Sequence, residues 1–185
     1  MLRSLLERLE EHSPGEREHA HRVAAYAVAA GDALGLRGQP LQELRYAAEL
    51  HDIGKLLVAS ELLQRKESLS AEEREKLVAH VTLAGDVVGG LPFLEPCLAG
   101  IRFHHERWNG GGYPDGLTGI DIPFAARIIG AAEVLDVALH GTHWRPADQE
   151  DVALSALAGL SGTWFEPAVV DALLRVQPLI QPLGA

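Results

Sequence analysis

Five places in this sequence carry the residue types that bind metal ions, and each is a histidine, an acid or an adjacent pair of these. They are His19, the pair His51-Asp52, His80, the pair His104-His105, and an acid at Glu133 or Asp136. Neutral imidazole and carboxylate groups suit zinc, iron, manganese and their neighbours. A helical bundle can gather such ligands, because each facing helix can send one or two side chains into its core.

The two adjacent pairs lie in apolar surroundings, since the sequences around them read AAELHDIGKLLV and CLAGIRFHHERW. An unpaired polar group in such a setting costs about 1–3 kcal/mol, and a shared metal site would remove that cost for all of them. Neighbouring helical residues point about 100° apart, so both members of a pair reach one site only beside or beyond the end of a helix. Two metal ions about 3.5–4 Å apart would offer such a target. Asp52 has two oxygens with which to bridge them, and His51 and His105 would each bind one ion or the other.

Four other histidines are expected to have no role, because a single histidine on a helix is usually a surface residue or an ordinarily paired core residue. They are His12, His21, His140 and His143. His19 alone would be interpreted in the same way, and only the joint pattern includes it among the ligands.

Lys55 follows Asp52 by three residues in the segment HDIGK. On a continuing helix this spacing returns the ammonium group to the side of the carboxylate. A cation there would hold a phosphate oxygen or stabilise an oxyanion leaving group. Gly54, between the two, would let a ligand approach the backbone closely.

A glycine-rich segment, NGGGYPDG, follows the second histidine pair. Its composition excludes a helix interior and is also common in plain turns. Its place directly after His104-His105 favours the wall of a substrate pocket. Trp108 and Tyr113 would either stack on a base or cover the core, and the sequence leaves both open.

Helical periodicity covers most of the chain, and the alternation typical of strands is scarce. The predicted helices are 2–11, 16–34, 41–51, 71–89, 93–106, 123–140, 148–159 and 166–177. Ser70 and Glu73 predict a capping box, and Pro167 is expected in the first turn of the last helix. The pattern predicts a single all-α domain, a helical bundle with a glycine-rich loop.

Composition excludes several classes of protein. The chain has 185 residues, a formal charge of −10 and one cysteine, Cys97, so an internal disulfide framework is ruled out. The acidic charge argues against broad contact with nucleic acid or an anionic membrane. No apolar run reaches the roughly 18 residues that cross a bilayer, and the N-terminus lacks signal-peptide features. We therefore expect a soluble, cytoplasmic protein with no nucleic-acid or membrane partner.

Over residues 16–177 the sequence resembles an HD-GYP domain, a subgroup of the HD metal-dependent phosphohydrolases. The resemblance rests on HAHRV at 19–23, AAELHDIGK at 47–55, the isolated His80, HHERWNGGGYPDGLTGIDIPFAARIIGAAEVLDVA at 104–138 and SGTWFEPAVVDALL at 161–174. It implies an all-helical HD-type fold over residues 16–185, preceded by a helix and linker at 1–15. Most members carry a sensor or receiver domain before this region.

The resemblance also implies a ligand set. Its members are His19, His51, Asp52, His80, His104, His105 and, in the place of a family aspartate, Glu133. Three-metal members have a glutamate four residues before the first histidine, where this chain has Gly15. We therefore expect two divalent ions, of iron, manganese or zinc.

The resemblance further implies hydrolysis of cyclic di-GMP to linear pGpG, with GMP as a further product. Asp52 and Lys55 would be catalytic, and the expected substrate-binding residues are Lys55, Gly112, Tyr113, Pro114 and Arg145. Thr142 stands where members usually have an arginine, which weakens the expected grip on the substrate phosphate.

Two other functions stay open at this point. One is an HD-type phosphohydrolase acting on another nucleotide or phosphate ester. The other is a non-catalytic module that binds cyclic di-GMP or a protein, favoured by the changes at Glu133 and Thr142. The sequence also leaves open a homodimer or a signalling protein as partner.

Overall fold

The helices expected from the sequence account for most of the computed structural model, which describes residues 1–65, 68–142 and 145–180. Within these ranges we find isolated bridges but no extended strand, so the all-α prediction is confirmed. The α-helices are α1 (Leu2–His12), α2 (Glu16–Ala33), α3 (Gly38–Glu49), α4 (Ser60–Leu63), α5 (Ala71–Val78), α6 (His80–Val88), α7 (Leu98–Arg102), α8 (Phe124–His140), α9 (Glu150–Gly159) and α10 (Pro167–Val176).

Two predicted helices are wrong in their extent. The predicted helix 71–89 begins with the expected Ser70 capping box but is divided at Ala79. There the His80 ring bonds the carbonyl of Leu77 and the Thr82 hydroxyl bonds that of Ala79. Side-chain bonds of this kind compete with the helical pattern and bend helices. The break places His80 at the first residue of α6.

The predicted helix 93–106 is also shorter than expected. It opens as a 3-10 helix over Pro92–Cys97, since Pro96 has no N–H to donate and its ring crowds the preceding turn. Only Leu98–Arg102 is α-helical. His104 and His105 consequently lie in the turn that follows α7.

The core is built from α2, α3, α8 and α10, which pack against one another through alanine, valine, leucine and isoleucine side chains. Leu6 and Leu9 of α1 are buried in this same core, so α1 packs on its own domain. Each buried leucine stabilises the fold by about 1.5–3 kcal/mol. The division at residues 15 and 16 stays a prediction.

Both adjacent pairs occupy turns just beyond a helix, which is one of the placements that their spacing required. His51-Asp52 follows α3 and leads into a 3-10 helix over Ile53–Leu57. The expectation that Gly54 admits a ligand is wrong. A Cβ there would lie 1.9 Å from the His80 carbonyl oxygen, so the space beside Gly54 is filled by α6.

Gly130 of α8 allows a second close approach. A Cβ at this position would lie 2.2 Å from the His104 carbonyl oxygen. The two glycines let the turns that carry the histidine pairs lie directly against helices. No helix in the described ranges is both long and apolar enough to cross a membrane. The cytoplasmic location stays a prediction.

Candidate metal centre

Asp52 stands at the centre of the predicted ligands, with a histidine against each carboxylate oxygen. His80 Nε2 lies 3.1 Å from Oδ1, and His51 Nε2 lies 3.2 Å from Oδ2. His19 Nε2 lies 4.0 Å from Oδ2. The carboxylate therefore faces imidazoles on both sides.

Glu133, on α8, meets the second histidine pair. Its Oε2 lies 3.9 Å from His104 Nε2 and 3.7 Å from His105 Nδ1. The His105 ring also lies beside His80, with centroids 5.3 Å apart. The structure thus brings together all seven residues of the expected ligand set.

The ligand atoms divide into two groups, and within each group they all lie within 4.8 Å of one another. The groups are Asp52, His80, His104 and His105, and His19, His51, Asp52 and Glu133. Asp52 is common to both, which is the arrangement that a bridging carboxylate between two ions requires. We call these seven residues the cluster.

Three cluster histidines are oriented in the same way. Each donates its Nδ1–H to the carbonyl oxygen three residues earlier, at 2.6–2.8 Å: His51 to Ala48, His80 to Leu77 and His104 to Ile101. A carbonyl partner fixes the proton on Nδ1 and leaves Nε2 as a free electron pair. All three Nε2 atoms therefore face the cluster as candidate ligands, although His51 must first lose the second proton that Asp52 stabilises on its ring.

The fit of a metal is tested by the polar atoms that have no partner. In the described structure, the buried atoms without a hydrogen bond include Nε2 of His51, His80 and His104, Asp52 Oδ1 and Glu133 Oε2, whereas Asp52 Oδ2 has the Lys55 ammonium 2.7 Å away. Such atoms cost about 1–3 kcal/mol each when nothing satisfies them. These nitrogen and oxygen atoms lie close to one another, so divalent cations would satisfy them together.

The pKa values of the cluster residues are shifted in different directions, so these residues differ in their readiness to bind a metal ion. Burial alone would raise the pKa of Asp52, but Lys55 and His51 outweigh burial and hold it well below its usual range. Burial alone would lower the pKa of His51, but the charge of Asp52 outweighs it and raises the pKa to about 9. Burial and the neighbouring imidazoles lower the pKa of His104 well below its usual value. His104 is therefore neutral near pH 7, whereas His51 carries a proton until a metal displaces it.

Asp136 lies behind the cluster rather than in it, which decides between the two acids that the sequence offered. Its Oδ2 lies 2.7 Å from His19 Nδ1, and Arg22 donates Nε at 2.7 Å to Oδ1. Burial alone would raise the pKa of Asp136, but the bonds from His19 and Arg22 hold it below its usual value. The fully buried carboxylate therefore stays ionised and orients His19.

Lys55 is placed as its spacing predicted, although by a 3-10 helix. Its Nζ lies 2.7 Å from Asp52 Oδ2. The same ammonium donates to both oxygens of Glu16, at 2.9 and 3.1 Å. The charges of Asp52 and Glu16 outweigh burial and raise the pKa of Lys55, so it is a permanent cation at the edge of the cluster.

The glycine-rich loop reaches the cluster through Tyr113. Its ring lies over that of His105, with centroids 4.8 Å apart, and its N–H donates to the His105 carbonyl. A Cβ on Gly112 would lie 2.4 Å from the Arg107 nitrogen, so this glycine permits the close approach. Substrate contacts of Gly112, Tyr113 and Pro114 stay predictions.

Arg145 is engaged outside the cluster. Its guanidinium pairs with Asp148, and its backbone forms a bridge with Thr142. A contact between Arg145 and a substrate stays a prediction. Trp108 is half-buried, with the Arg127 guanidinium 5.9 Å from its ring, and His143 lies outside the described residues.

Three charged residues around the site were missed from the sequence: Glu16, Arg22 and Glu106. Glu16 contacts Lys55 and Arg22 contacts Asp136, residues 39 and 114 positions away in the sequence. No local spacing predicts such contacts. Glu106 could have been noticed, since an acid directly follows a histidine pair in an apolar segment. It is buried and holds the glycine-rich loop.

An all-α fold in which turns and helices bring five histidines and two carboxylates together defines a helical domain with a candidate metal centre. The chain belongs to the HD domain family, whose model matches residues 3–169. The HD-GYP resemblance is confirmed within that family.

Known proteins similar to this chain agree with that assignment. The cyclic di-GMP phosphodiesterase response regulator RpfG of Xanthomonas campestris is 33% identical over 177 residues, covering 94% of this chain and 47% of that protein. The chain thus spans about half the length of this relative.

Two solved structures share the fold. A cyclic GMP-AMP-specific phosphodiesterase of Vibrio cholerae, V-cGAP3, matches with a TM-score of 0.74 and 23% identity, covering 96% of this chain and 48% of that one. The HD-GYP protein Bd1817 of Bdellovibrio bacteriovorus matches with a TM-score of 0.70 and 21% identity, covering 88% and 52%.

Proposed function

We propose that this domain is a metal-dependent phosphodiesterase that hydrolyses cyclic di-GMP to linear pGpG, with GMP as a further product. The observation that carries the proposal is the pair of four-ligand groups that share Asp52. The similarity to a relative named as a cyclic di-GMP phosphodiesterase supports the choice of substrate.

We propose that the cluster holds two divalent ions, of iron, manganese or zinc. Asp52, His80, His104 and His105 would hold one ion, and His19, His51, Asp52 and Glu133 the other. When bound, such ions lower the pKa of water toward neutrality and neutralise phosphate oxygens.

The chain's own residues would bind and orient the substrate. Lys55, held by Glu16, presents an ammonium group at the edge of the cluster, and we assign it to a phosphate oxygen. Such a local cation allows an anion to bind to a chain of formal charge −10. Tyr113 would form the wall of the substrate pocket beside His105. Arg145 would contribute a second positive charge.

Product analysis tests the proposal. The protein is prepared under anaerobic, metal-replete conditions and incubated with cyclic di-GMP and Mn²⁺ or Fe²⁺, and the products are separated by chromatography. We expect pGpG, and we expect no turnover from His51→Ala or Asp52→Ala while their far-ultraviolet circular dichroism remains helical. His21→Ala, at an exposed histidine, is the matched control. Wild-type rates in either cluster variant would refute the assigned roles.

Elemental analysis tests the metal centre separately. We expect about two first-row metal ions per chain, as in other two-metal hydrolases. A protein that holds none after metal-replete, anaerobic preparation would contradict the proposed centre, whatever its activity.

A second cyclic dinucleotide is favoured by one observation, the 30% identity over 168 residues to a Vibrio cholerae protein named as a 3'3'-cGAMP-specific phosphodiesterase. A panel of cyclic di-GMP, cyclic GMP-AMP and simple phosphate esters, run on the same metal-loaded protein, decides the substrate. Binding without turnover, measured by calorimetry, would instead favour a non-catalytic module. A homodimer or a signalling partner stays a prediction.

A further inference from the structure

Glu106 is a buried carboxylate that contacts the glycine-rich loop and none of the cluster atoms described above. Its side chain is only 5% exposed. Its Oε1 accepts from the backbone N–H groups of Asp115 at 2.7 Å and Gly116 at 2.9 Å, and its Oε2 accepts from that of Leu117 at 3.0 Å. The charge is therefore balanced by three successive backbone donors rather than by a cation.

Such an arrangement fixes the loop at one point. Hydrogen bonds to a charged acceptor are roughly twice as strong as neutral ones. If the carboxylate were absent, three backbone donors would be left without the partner they now share. A loop rich in glycine has more conformations to lose than other loops, so a single strong anchor has a large effect on it.

The anchor lies next to the part of the loop that meets the cluster. Tyr113 lies two residues before the first of the three donors, and its ring lies over His105, the residue before Glu106. The Arg102 guanidinium adds a second tie, 3.0 Å from the Asp115 carboxylate. Residues 105–106 and 113–117 are thus joined at two points, by the Glu106 hydrogen bonds and by the contacts of Tyr113 with His105.

We propose that Glu106 is a positioning residue for substrate binding: it holds the glycine-rich loop so that Tyr113 walls the pocket beside His105. This inference rests on the proposed function, because it takes the loop as part of the substrate site. Glu106 touches neither the substrate nor the metal ions and acts only through the loop.

The test uses Glu106→Gln, which keeps the side-chain volume but removes the charge and one of the two acceptor oxygens. We expect amide hydrogen exchange at residues 115–117 to become at least about tenfold faster, because a hydrogen bond to a charged group is lost there. KM for cyclic di-GMP is expected to rise about tenfold, while kcat changes less than about threefold. Glu75→Gln, the same change at an exposed glutamate of α5, is expected to match the wild type.

Each failure has a distinct meaning. Unchanged exchange at 115–117 would show that Glu106 does not anchor the loop. Faster exchange with unchanged KM and kcat would show that Glu106 has only a structural role. Loss of metal from the variant would show that Glu106 acts on the cluster instead of on the loop. Either result overturns the proposal. If the wild type turns over no substrate, the proposed function fails, and the dissociation constant for cyclic di-GMP replaces KM in the same comparison.

Discussion

At the scale of single residues, four cluster histidines are each oriented by a hydrogen bond at Nδ1, the ring nitrogen that faces away from the cluster. His51, His80 and His104 are held by backbone carbonyls, whereas His19 is held by the carboxylate of Asp136. A carboxylate partner raises the basicity of a ligand more than a carbonyl does. His19 is therefore the ligand whose strength depends most on another side chain.

Asp136→Asn is expected to weaken metal binding by about 10–100-fold, the usual loss when a partner of a ligand is removed. The amide can still accept from His19 but no longer carries the charge, and Arg22 loses its anionic partner. Metal retained per chain after dialysis against a graded series of chelator concentrations measures the effect. The control is Asp32→Asn, which alters an exposed ion pair with Arg37. Equal retention in both variants would show that His19 is oriented without Asp136.

The raised pKa of His51 predicts that the stability of the metal-free fold and the affinity for metal change in opposite directions with pH. Asp52 raises the pKa of His51 to about 9 despite burial. This pKa lies above that of a histidine in the unfolded chain, about 6.5. The proton on His51 therefore stabilises the metal-free fold fully below about pH 6.5. The stabilisation is lost as the pH rises through about 9. Metal affinity should rise over the same interval, since the metal no longer has to displace a proton.

Calorimetry with Mn²⁺ in two buffers of different ionisation enthalpy counts the protons released on binding. We expect about one proton from His51 at pH 7 and nearly none at pH 10. Absence of buffer dependence at pH 7 would mean that His51 is already neutral in the metal-free protein.

At the scale of elements, the sequence was sufficient to predict which residues lie together in the cluster and insufficient to predict what surrounds them. Adjacent pairs in apolar segments predicted a site beside or beyond the helix ends, and both pairs lie in turns after α3 and α7. The capping box at Ser70 was equally local and was confirmed. The division of the helix at Ala79 was not foreseen, because it depends on side-chain bonds that compete with a continuous apolar pattern.

Contacts between residues far apart in the sequence account for the features around the cluster that the sequence did not predict. The spacing HDIGK predicted that Lys55 meets Asp52, but it could not reveal that Glu16 holds the same ammonium from another helix. Gly54 was interpreted as an opening for a ligand because the sequence does not show that α6 packs there. Such roles depend on tertiary packing, which the pattern of one segment does not encode.

Gly54→Ala tests how elements set the cluster geometry. The new methyl group would lie 1.9 Å from the His80 carbonyl oxygen, so α6 and the turn that carries Asp52 must separate. We expect a loss of about 1–3 kcal/mol in the free energy of unfolding, as for other overpacked sites. Metal retention should fall as well, because Asp52 and His80 move apart. Urea unfolding and elemental analysis measure the two effects.

Gly85→Ala provides the matched control. This glycine lies inside α6, and a Cβ there meets nothing within 4 Å. We expect it to stabilise the protein by up to about 1 kcal/mol, since alanine favours a helix interior over glycine. If both alanine variants were as stable as the wild type, the close approach of the turn and α6 would not be a constraint.

At the scale of the whole molecule, the cluster joins parts of the chain that are far apart in sequence. Its ligands extend from His19 to Glu133 and come from α2, α6, α8 and the turns after α3 and α7. Unfolding would therefore separate the five parts of the chain that supply these residues. Ions that bind this set and not the unfolded chain must stabilise the entire fold.

Metal saturation is accordingly expected to raise the thermal stability of the whole domain. At a free Mn²⁺ concentration of about 1,000 times Kd, each bound ion adds about 4 kcal/mol, or roughly 8–16 °C in Tm for a domain of this size. Calorimetric scans before and after chelation and after Mn²⁺ readdition measure the shift. His80→Ala should lose the part of this gain that comes from one ion, because one of the two four-ligand groups is left with three ligands, whereas His21→Ala should keep the whole gain. A Tm that does not respond to Mn²⁺ in the wild type would mean that the seven ligands do not act as one centre.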